Sequence, residues 1–195
     1  MTHGKFSANP ETTWLTEPES DRRMKLLQDF TFTDPDGKEW LTPKGYHVDG
    51  ASIPRPLWSL VGSPYTGDYR RASIVHDKAC DDATGNPKAR RAADRMFYHA
   101  CRAGGCSVKE AWILYLGVRI GALDKVVPAW GMGIVAAERA RPRTSMAPAE
   151  RKMEGDFRLA SDLLLKERPT DDPKHAERRV DKVLSQVANK DLRNK

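Results

Sequence analysis

The sequence predicts an α+β fold: a small N-terminal antiparallel β-sheet packed on a helical core that contains an antiparallel helix pair, plus a C-terminal helical extension. Three observations lead to this fold class. Short β-prone runs separated by turn signals fill residues 1–65. Two helical stretches then flank the turn 84–87 (Thr-Gly-Asn-Pro). The chain becomes highly charged further on, which separates a predicted domain over 1–137 from a charged helical tail over 138–195.

The β-prone runs of the N-terminal part lie at 12–16, 24–33 and 39–43. The stretch 34–37 (Asp-Pro-Asp-Gly) is a strong turn signal, so the second and third runs are expected to form a hairpin. Gly50, Pro54 and Pro56 then break any regular pattern. They indicate an irregular ordered loop that leads into a short helical turn.

The helix pair is predicted over 67–83 and 87–103 from the signals at its turn. Gly85 can take the left-handed conformation that ends the first helix. Asn86 can cap the second helix, and Pro87 fits its first turn. The two helices are therefore expected to run antiparallel.

The register of this pair places a histidine opposite a carboxylate. Residues at equal distances from the turn face each other, so His76 is level with Asp94 and Arg95. Such a pair can hold an imidazole as a general base, because one ring nitrogen donates to the carboxylate and the other is left to take a proton. His76 and Asp94 are the candidate catalytic residues, and a structural role in the helix seam is the alternative.

Three more acids lie near the end of the first helix, where the helix dipole disfavours negative charge. Asp77 and Asp81 share a helix face, which makes a divalent cation one way to neutralise them. Arginines 90 and 91, on the opposite helix, are the other way. We expect the arginines to neutralise Asp81 and Asp82.

A third helix is predicted to begin at the capping box Ser107-Val-Lys-Glu110 and to run through about residue 122, with its apolar residues on a core-packing face. The apolar, glycine-rich stretch 126–135 is expected to pack on the core, with contact to a membrane surface as the alternative. The tail is predicted to contain helices at 148–166 and 173–192. Docking on the domain, binding of a partner and partial disorder all remain open for it.

Composition narrows the classes of partner and compartment. The chain has 195 residues, a net charge of +6 and an isoelectric point of about 9.3, which favours anionic partners such as phospholipid surfaces. Nucleic acid is not expected, because the arginines lie outside any obvious reading element. Three cysteines argue against a disulfide framework. No apolar signal core is seen, so cytoplasmic synthesis is expected, and non-classical export, virion association or peripheral membrane binding remain open.

Two segments carry a resemblance to a known family. His76-Asp-Lys-Ala-Cys80 and Ala93-Asp-Arg-Met-Phe97 resemble the active-site signature of the phospholipase A2 superfamily. A wider pattern that adds Asp49-Gly-Ala-Ser-Ile-Pro54 resembles an uncharacterised family of phage and prophage proteins over about residues 5–122.

The phospholipase resemblance implies a role for each matching residue. His76 would deprotonate the water that attacks an acyl ester, and Asp94 would orient it. Asp77 would ligate calcium, together with backbone carbonyls from 50–52 or 62–67. The sequence departs from the signature at Cys80, where the superfamily usually has a tyrosine that supports the aspartate, and it lacks the usual glycine-rich calcium loop.

The loop that contains Asp49 and Ser52 is expected to lie over the dyad, the pair of His76 and Asp94. It is expected to contribute a carboxylate or backbone groups to the site. The alternative is ordinary turn chemistry, with Asp49 bonded to backbone amides. Ser52 is not expected to be a nucleophile, because no Gly-x-Ser-x-Gly elbow surrounds it.

The expected function is a phospholipase A2-like acyl-ester hydrolase that acts on membrane phospholipids, as a phage factor or a bacterial toxin. The alternative is a non-enzymatic, phage-derived structural or partner-binding protein that makes its contacts through the basic tail. In that case His76 and Asp94 pin the helix pair and are closed to solvent.

Overall fold

The computed structural model describes residues 2–15, 23–48, 53–54, 57–62, 67–124 and 148–193. Its strands are β1 Lys5–Phe6, β2 Thr12–Trp14, β3 Met24–Leu26, β4 Phe30–Thr33, β5 Glu39–Thr42 and β6 His47–Val48. Its helices, labelled here in chain order, are α1 Trp58–Val61, α2 Arg70–Asp82, α3 Pro87–Gly104, α4 Val108–Asp124, α5 Pro148–Leu165 and α6 Pro173–Arg193. The predicted roles of Asp49, Ser52 and the stretch 126–135 fall outside the described residues.

The α+β prediction is confirmed, with one correction in the strands. The described strands form two antiparallel sheets of three, in the orders β1-β4-β5 and β2-β3-β6. The run 24–33, predicted to be one strand of a hairpin, is divided between the two sheets: Leu26 pairs with Thr12, whereas Phe30 pairs with Thr42. Alternate residues are buried both before and after a bend in this run, so the run contributes one strand to each sheet.

The predicted hairpin is present but shorter than expected: it consists of β4 and β5, in which Thr33 pairs with Glu39. The Asp34 carboxylate organises the turn by accepting hydrogen bonds from the backbone N–H groups of Asp36 and Lys38, each at 3.0 Å. Its second oxygen accepts the indole N–H of Trp40 at 2.9 Å. The turn signal therefore acts through side-chain hydrogen bonding as well as backbone preference.

The helix pair α2–α3 forms as predicted and is fixed at both ends. At the turn, Gly85 has a φ of 75°, and the Asn86 side chain accepts the N–H of Ala89 at 3.0 Å. At the open end, a Cβ on Gly104 would lie 2.3 Å from the backbone oxygen of Asp68. Only glycine permits that approach of α3 to the segment before α2, so the alignment of the two helices has little freedom.

Helix α4 is the central helix of the core. The capping box is present: Glu110 accepts from the N–H of Ser107 at 2.7 Å, and the Ser107 hydroxyl accepts from the N–H of Glu110 at 3.2 Å. The predicted apolar face is buried, and so are other positions around the helix, among them Leu114 and Val118. An all-round apolar helix of this kind must be covered on several sides, and α3, α5 and α6 all pack on it.

The C-terminal helical segment, residues 148–193, docks on the rest of the described chain. Binding of a partner by the tail stays a prediction. Its apolar side buries Met153, Phe157, Val180 and Val183. Asp171, in the loop between α5 and α6, attaches the segment to the rest of the fold. It accepts two hydrogen bonds from Arg102, at 2.8 and 2.9 Å, and lies 2.9 Å from Nε2 of His3. No described helix is long and apolar enough to span a bilayer.

We expect the substitution Asp171→Asn to make the free energy of unfolding depend less on pH in the acid range. Hydrogen bonds from Arg102 and the neighbouring His3 hold the pKa of Asp171 well below its usual range. A carboxyl group with a lowered pKa contributes stability above the ordinary pKa of about 3.9, and this stability is lost as pH falls through the acid range. Asp171→Asn should therefore cost about 1 kcal/mol at neutral pH, after allowance for partial exposure.

The measurement is urea unfolding between about pH 7 and about pH 3. Asp36→Asn, at an exposed turn position, is the matched control and should leave the profile unchanged. If the free energy of unfolding changes with pH equally in wild type and Asp171→Asn, the stabilising role of the ionised Asp171 is contradicted.

Candidate functional site

The histidine and the carboxylate predicted to face each other are in contact. His76 on α2 and Asp94 on α3 are joined by a hydrogen bond of 2.9 Å between Nε2 and Oδ1. Both side chains are 0% exposed. The Phe97 ring packs on the imidazole with a centroid separation of 4.6 Å. The predicted juxtaposition is therefore present, while the catalytic role stays a prediction.

Asp94 is held by two arginines as well as by His76. Arg119 on α4 donates to Oδ2 at 2.9 Å, and Arg90 donates to Oδ1 at 3.0 Å. Burial alone would raise the pKa of Asp94, but the bond from His76 and the charges of the two arginines lower it below its usual range. Asp94 is therefore a stable carboxylate inside the core.

Arg119 connects this carboxylate to the C-terminal helical segment. Its second terminal nitrogen lies 3.7 Å from Asp181 on α6, and Asp181 also accepts from Arg91 at 2.6 Å. Sequence reasoning did not identify Arg119 as part of the site. The available signal was the buried context, since an arginine in an apolar helix needs an acidic partner.

The expected pairing of arginines with the acids at the end of α2 is wrong. Arg90 turns to Asp94, one helical turn further along α3. Asp81 instead accepts a hydrogen bond from the Tyr46 hydroxyl at 2.6 Å. Asp82 forms an ion pair with Lys78, one turn back on its own helix. Tyr46 and Lys78 thus take the place expected for the arginines: Arg90 bonds to Asp94, and Arg91 bonds to acids of α6.

Cys80 lies beside the imidazole, one helical turn after His76. Its sulfur is 3.4 Å from Nε2 and 3.7 Å from Nδ1. A group in line with one ring nitrogen would be clearly farther from the other, so this sulfur faces the ring without a well-aligned hydrogen bond to either. Where the phospholipase resemblance implies a tyrosine that supports the aspartate, Asp94 is held by Arg90 and Arg119.

The protonation of His76 depends on its two neighbours. Burial would lower its pKa, but the negative charge of an ionised Cys80 and the contact with Asp94 raise it to about 9. The imidazolium is therefore the favoured form at neutral pH, next to the Asp94 carboxylate. The neutral imidazole is the form that can accept a proton.

Asp77, the predicted calcium ligand, lies on α2 with 6% of its surface exposed. Calcium takes six to eight hard oxygen ligands. Within the described ranges, the group of donors able to hold an ion is instead His76, Cys80 and Asp94, a set of nitrogen, sulfur and oxygen. This set does not include Asp77. The proposed backbone ligands at 50–52, and residues 63–66 of the other proposed segment, lie outside the described residues, so calcium at Asp77 stays a prediction.

Comparison with known proteins places the dyad in a shared region. A family model described as "Protein of unknown function (DUF1353)" matches residues 24–118, which contain His76, Cys80 and Asp94 and end just before Arg119. "Uncharacterized protein y4jT" from Sinorhizobium fredii (strain NBRC 101917 / NGR234) is 40% identical over 119 residues. "Uncharacterized protein y4iH" from the same strain is 36% identical over 105 residues.

These alignments are partial on both sides. They cover 59% and 53% of this chain. They cover 33% of y4jT and 43% of y4iH, so the chain spans less than half the length of either relative. No solved structure matches the chain. The resemblance to phospholipase A2 and the association with phage stay predictions.

We expect Arg119→Met to lower the free energy of unfolding by about 3 kcal/mol, because it removes one partner of a buried carboxylate. Urea unfolding monitored by circular dichroism measures the change. Arg158→Met is the matched control, since Arg158 forms an exposed pair with Glu154, and it should cost less than about 0.5 kcal/mol. Equal losses in the two variants would show that Arg119 does not stabilise the buried carboxylate.

Proposed function

We propose that the protein is a phospholipase A2-like acyl-ester hydrolase that acts on membrane phospholipids, with His76 as general base and Asp94 as the residue that orients it. The observation that supports this most is the 2.9 Å contact between Nε2 and Asp94. The contact occupies one ring nitrogen and leaves Nδ1 for a proton. Resemblance in both motif segments supports the same class of reaction.

The proposed reaction uses the neutral imidazole, which becomes the main form as pH rises past the raised pKa of His76, about 9. Nδ1 of His76 takes a proton from a water molecule while the water oxygen bonds to the carbonyl carbon of the ester. The ester C–O bond then breaks, and the imidazolium returns the proton to the departing alkoxide. Fatty acid and lysophospholipid are released. The ionised Asp94 stabilises the imidazolium, although it shares its charge with Arg90 and Arg119.

Burial of the dyad sets a condition on this mechanism. His76 and Asp94 are both fully covered, so an ester reaches Nδ1 only after the side chains around the ring move. A protein with a net charge of +6 binds anionic membranes by electrostatic attraction. We propose that binding to the membrane causes these side chains to move, which would confine hydrolysis to the lipid surface. A phage factor or a bacterial toxin is the setting that the motif resemblance suggests.

The same burial favours a second candidate function. A dyad closed to solvent, with both carboxylate oxygens already bonded, is what a purely structural role requires. In this alternative the protein is a phage-derived structural or partner-binding protein, and His76 and Asp94 pin α2 to α3. Such a protein would show no hydrolysis.

The deciding assay measures fatty-acid release from mixed liposomes that are either anionic or zwitterionic, with and without calcium. Wild type should release fatty acid from the anionic vesicles. His76→Ala and Asp94→Asn should each reduce the rate by about 100-fold or more, the contribution expected of a general base. His47→Ala, at an exposed position of strand β6, is the control and should keep the wild-type rate.

Circular dichroism establishes that each variant is folded. Folded wild type without release in any lipid mixture would overturn the hydrolase and leave the second candidate. Release that survives in folded His76→Ala would overturn the assigned base instead.

A further inference from the structure

We propose that His76, Cys80 and Asp94 form a binding site for a divalent transition-metal ion of the zinc type. One donor atom from each residue lies within 4.8 Å of the other two, and all three residues are buried. His76 and Cys80 stand one helical turn apart on α2, a spacing that directs both side chains to one face. Asp94 approaches this face from α3.

The donor types select the ion. Thiolate sulfur and imidazole nitrogen suit zinc and its neighbours, whereas calcium and magnesium prefer oxygen alone. Three protein ligands are also the number found in zinc sites that keep a fourth position for water or substrate.

The three donors must rearrange to form such a centre. Zinc–sulfur and zinc–nitrogen bonds of about 2.3 and 2.0 Å place tetrahedral donors roughly 3.5 Å apart. The sulfur of Cys80 is 3.4 Å from Nε2 of His76 but also 3.7 Å from Nδ1, so it lies over the ring, and the imidazole must turn to share an ion with it. Asp94 Oδ1 is 2.9 Å from Nε2, so this pair must separate by about 0.5 Å to admit an ion.

The arginines around Asp94 are compatible with a cation because of where each one ends. Arg119 bonds to Oδ2 and leaves Oδ1 as the ligand atom, so it acts as an outer partner that orients the carboxylate. Arg90 bonds to Oδ1, so this bond must break before Oδ1 can bind an ion, while its bond to the carbonyl of Val118 at 3.4 Å can remain. The two charges of the ion are then balanced by thiolate and carboxylate, while Arg119 retains Asp181 at 3.7 Å.

An ion on Nε2 excludes the hydrogen bond between His76 and Asp94. The metal-loaded form and the form with an intact dyad are therefore distinct states of the same three residues. Zinc is expected to suppress the proposed hydrolysis, but the existence of the site does not depend on that activity.

Cobalt(II) titration of the folded protein tests the site independently of lipid hydrolysis. We expect one cobalt per chain, visible d–d bands of a tetrahedral centre and a thiolate-to-cobalt charge-transfer band in the near ultraviolet. Cys80→Ser should abolish the charge-transfer band. His76→Ala and Asp94→Asn should each weaken binding by more than about tenfold, since even outer partners of metal ligands contribute that much.

The double variant with Cys101→Ser and Cys106→Ser is the matched control. These two buried cysteines lie close enough to hydrogen-bond to each other and could offer a competing thiol site. The control should keep the band. A band that is lost in the control but survives Cys80→Ser would overturn the proposal.

X-ray absorption of zinc-loaded wild type serves as a second measurement that needs no variant to fold. One sulfur with nitrogen and oxygen ligands is the expected result. Two sulfur ligands, or no zinc retained by the folded protein, would also overturn the proposal.

Discussion

The buried carboxylate of Asp94 is the constraint on which the arrangement of helices depends. Moving an isolated carboxylate into a medium of low dielectric constant costs on the order of 20 kcal/mol in the idealised case, so every bond to it matters. Its partners are His76 from α2, Arg90 from α3 and Arg119 from α4. A displacement of α2 or α4 against α3 would break one of the bonds to this carboxylate. Electrostatics therefore fixes the positions that apolar packing alone would leave adjustable.

This constraint extends to the C-terminal helical segment through Asp181, which lies near Arg119 and bonds to Arg91. Glu177, one turn earlier on α6, pairs with both Arg91 and Arg95. The acidic side of α6 thus neutralises cations of α3 that would otherwise stand next to the dyad. The segment is a structural part of the site even though it lies beyond the region that the family model matches.

Much of the helical part could be predicted because its signals are local. Asn86 caps the neighbouring helix, and a glycine and a proline on either side of it leave few other conformations. Counting outward from that turn was sufficient to place His76 opposite Asp94. The division of 24–33 between two sheets was not predictable in the same way, because alternation shows which residues turn inward but not which strand they pair with.

The role of Arg119 was hidden for a related reason. Its partners Asp94 and Asp181 are far away in sequence and meet only through tertiary packing. The resemblance to phospholipase A2 predicted the residue types of the dyad, but not what replaces the missing tyrosine at Cys80. In the folded protein the thiol lies beside His76, and the arginines hold the carboxylate.

The dyad can serve a proton or a metal ion because both compete for the same nitrogen. With a proton on Nε2, His76 donates to Asp94 and keeps the helix seam closed. With an ion there, Cys80 becomes a ligand as a thiolate, the imidazole turns toward the ion, and the bond between His76 and Asp94 is lost. Availability of metal in the surroundings would then decide which chemistry the three residues perform.

The close approach of Gly104 to Asp68 has a consequence for entry into the site. Together with the capped turn at Gly85, it clamps the pair α2–α3 at both ends, and the dyad lies between the clamps. These contacts prevent the two helices from opening about either end of the pair. For the proposed reactions, an ester or an ion would have to reach His76 from the side of the helix pair.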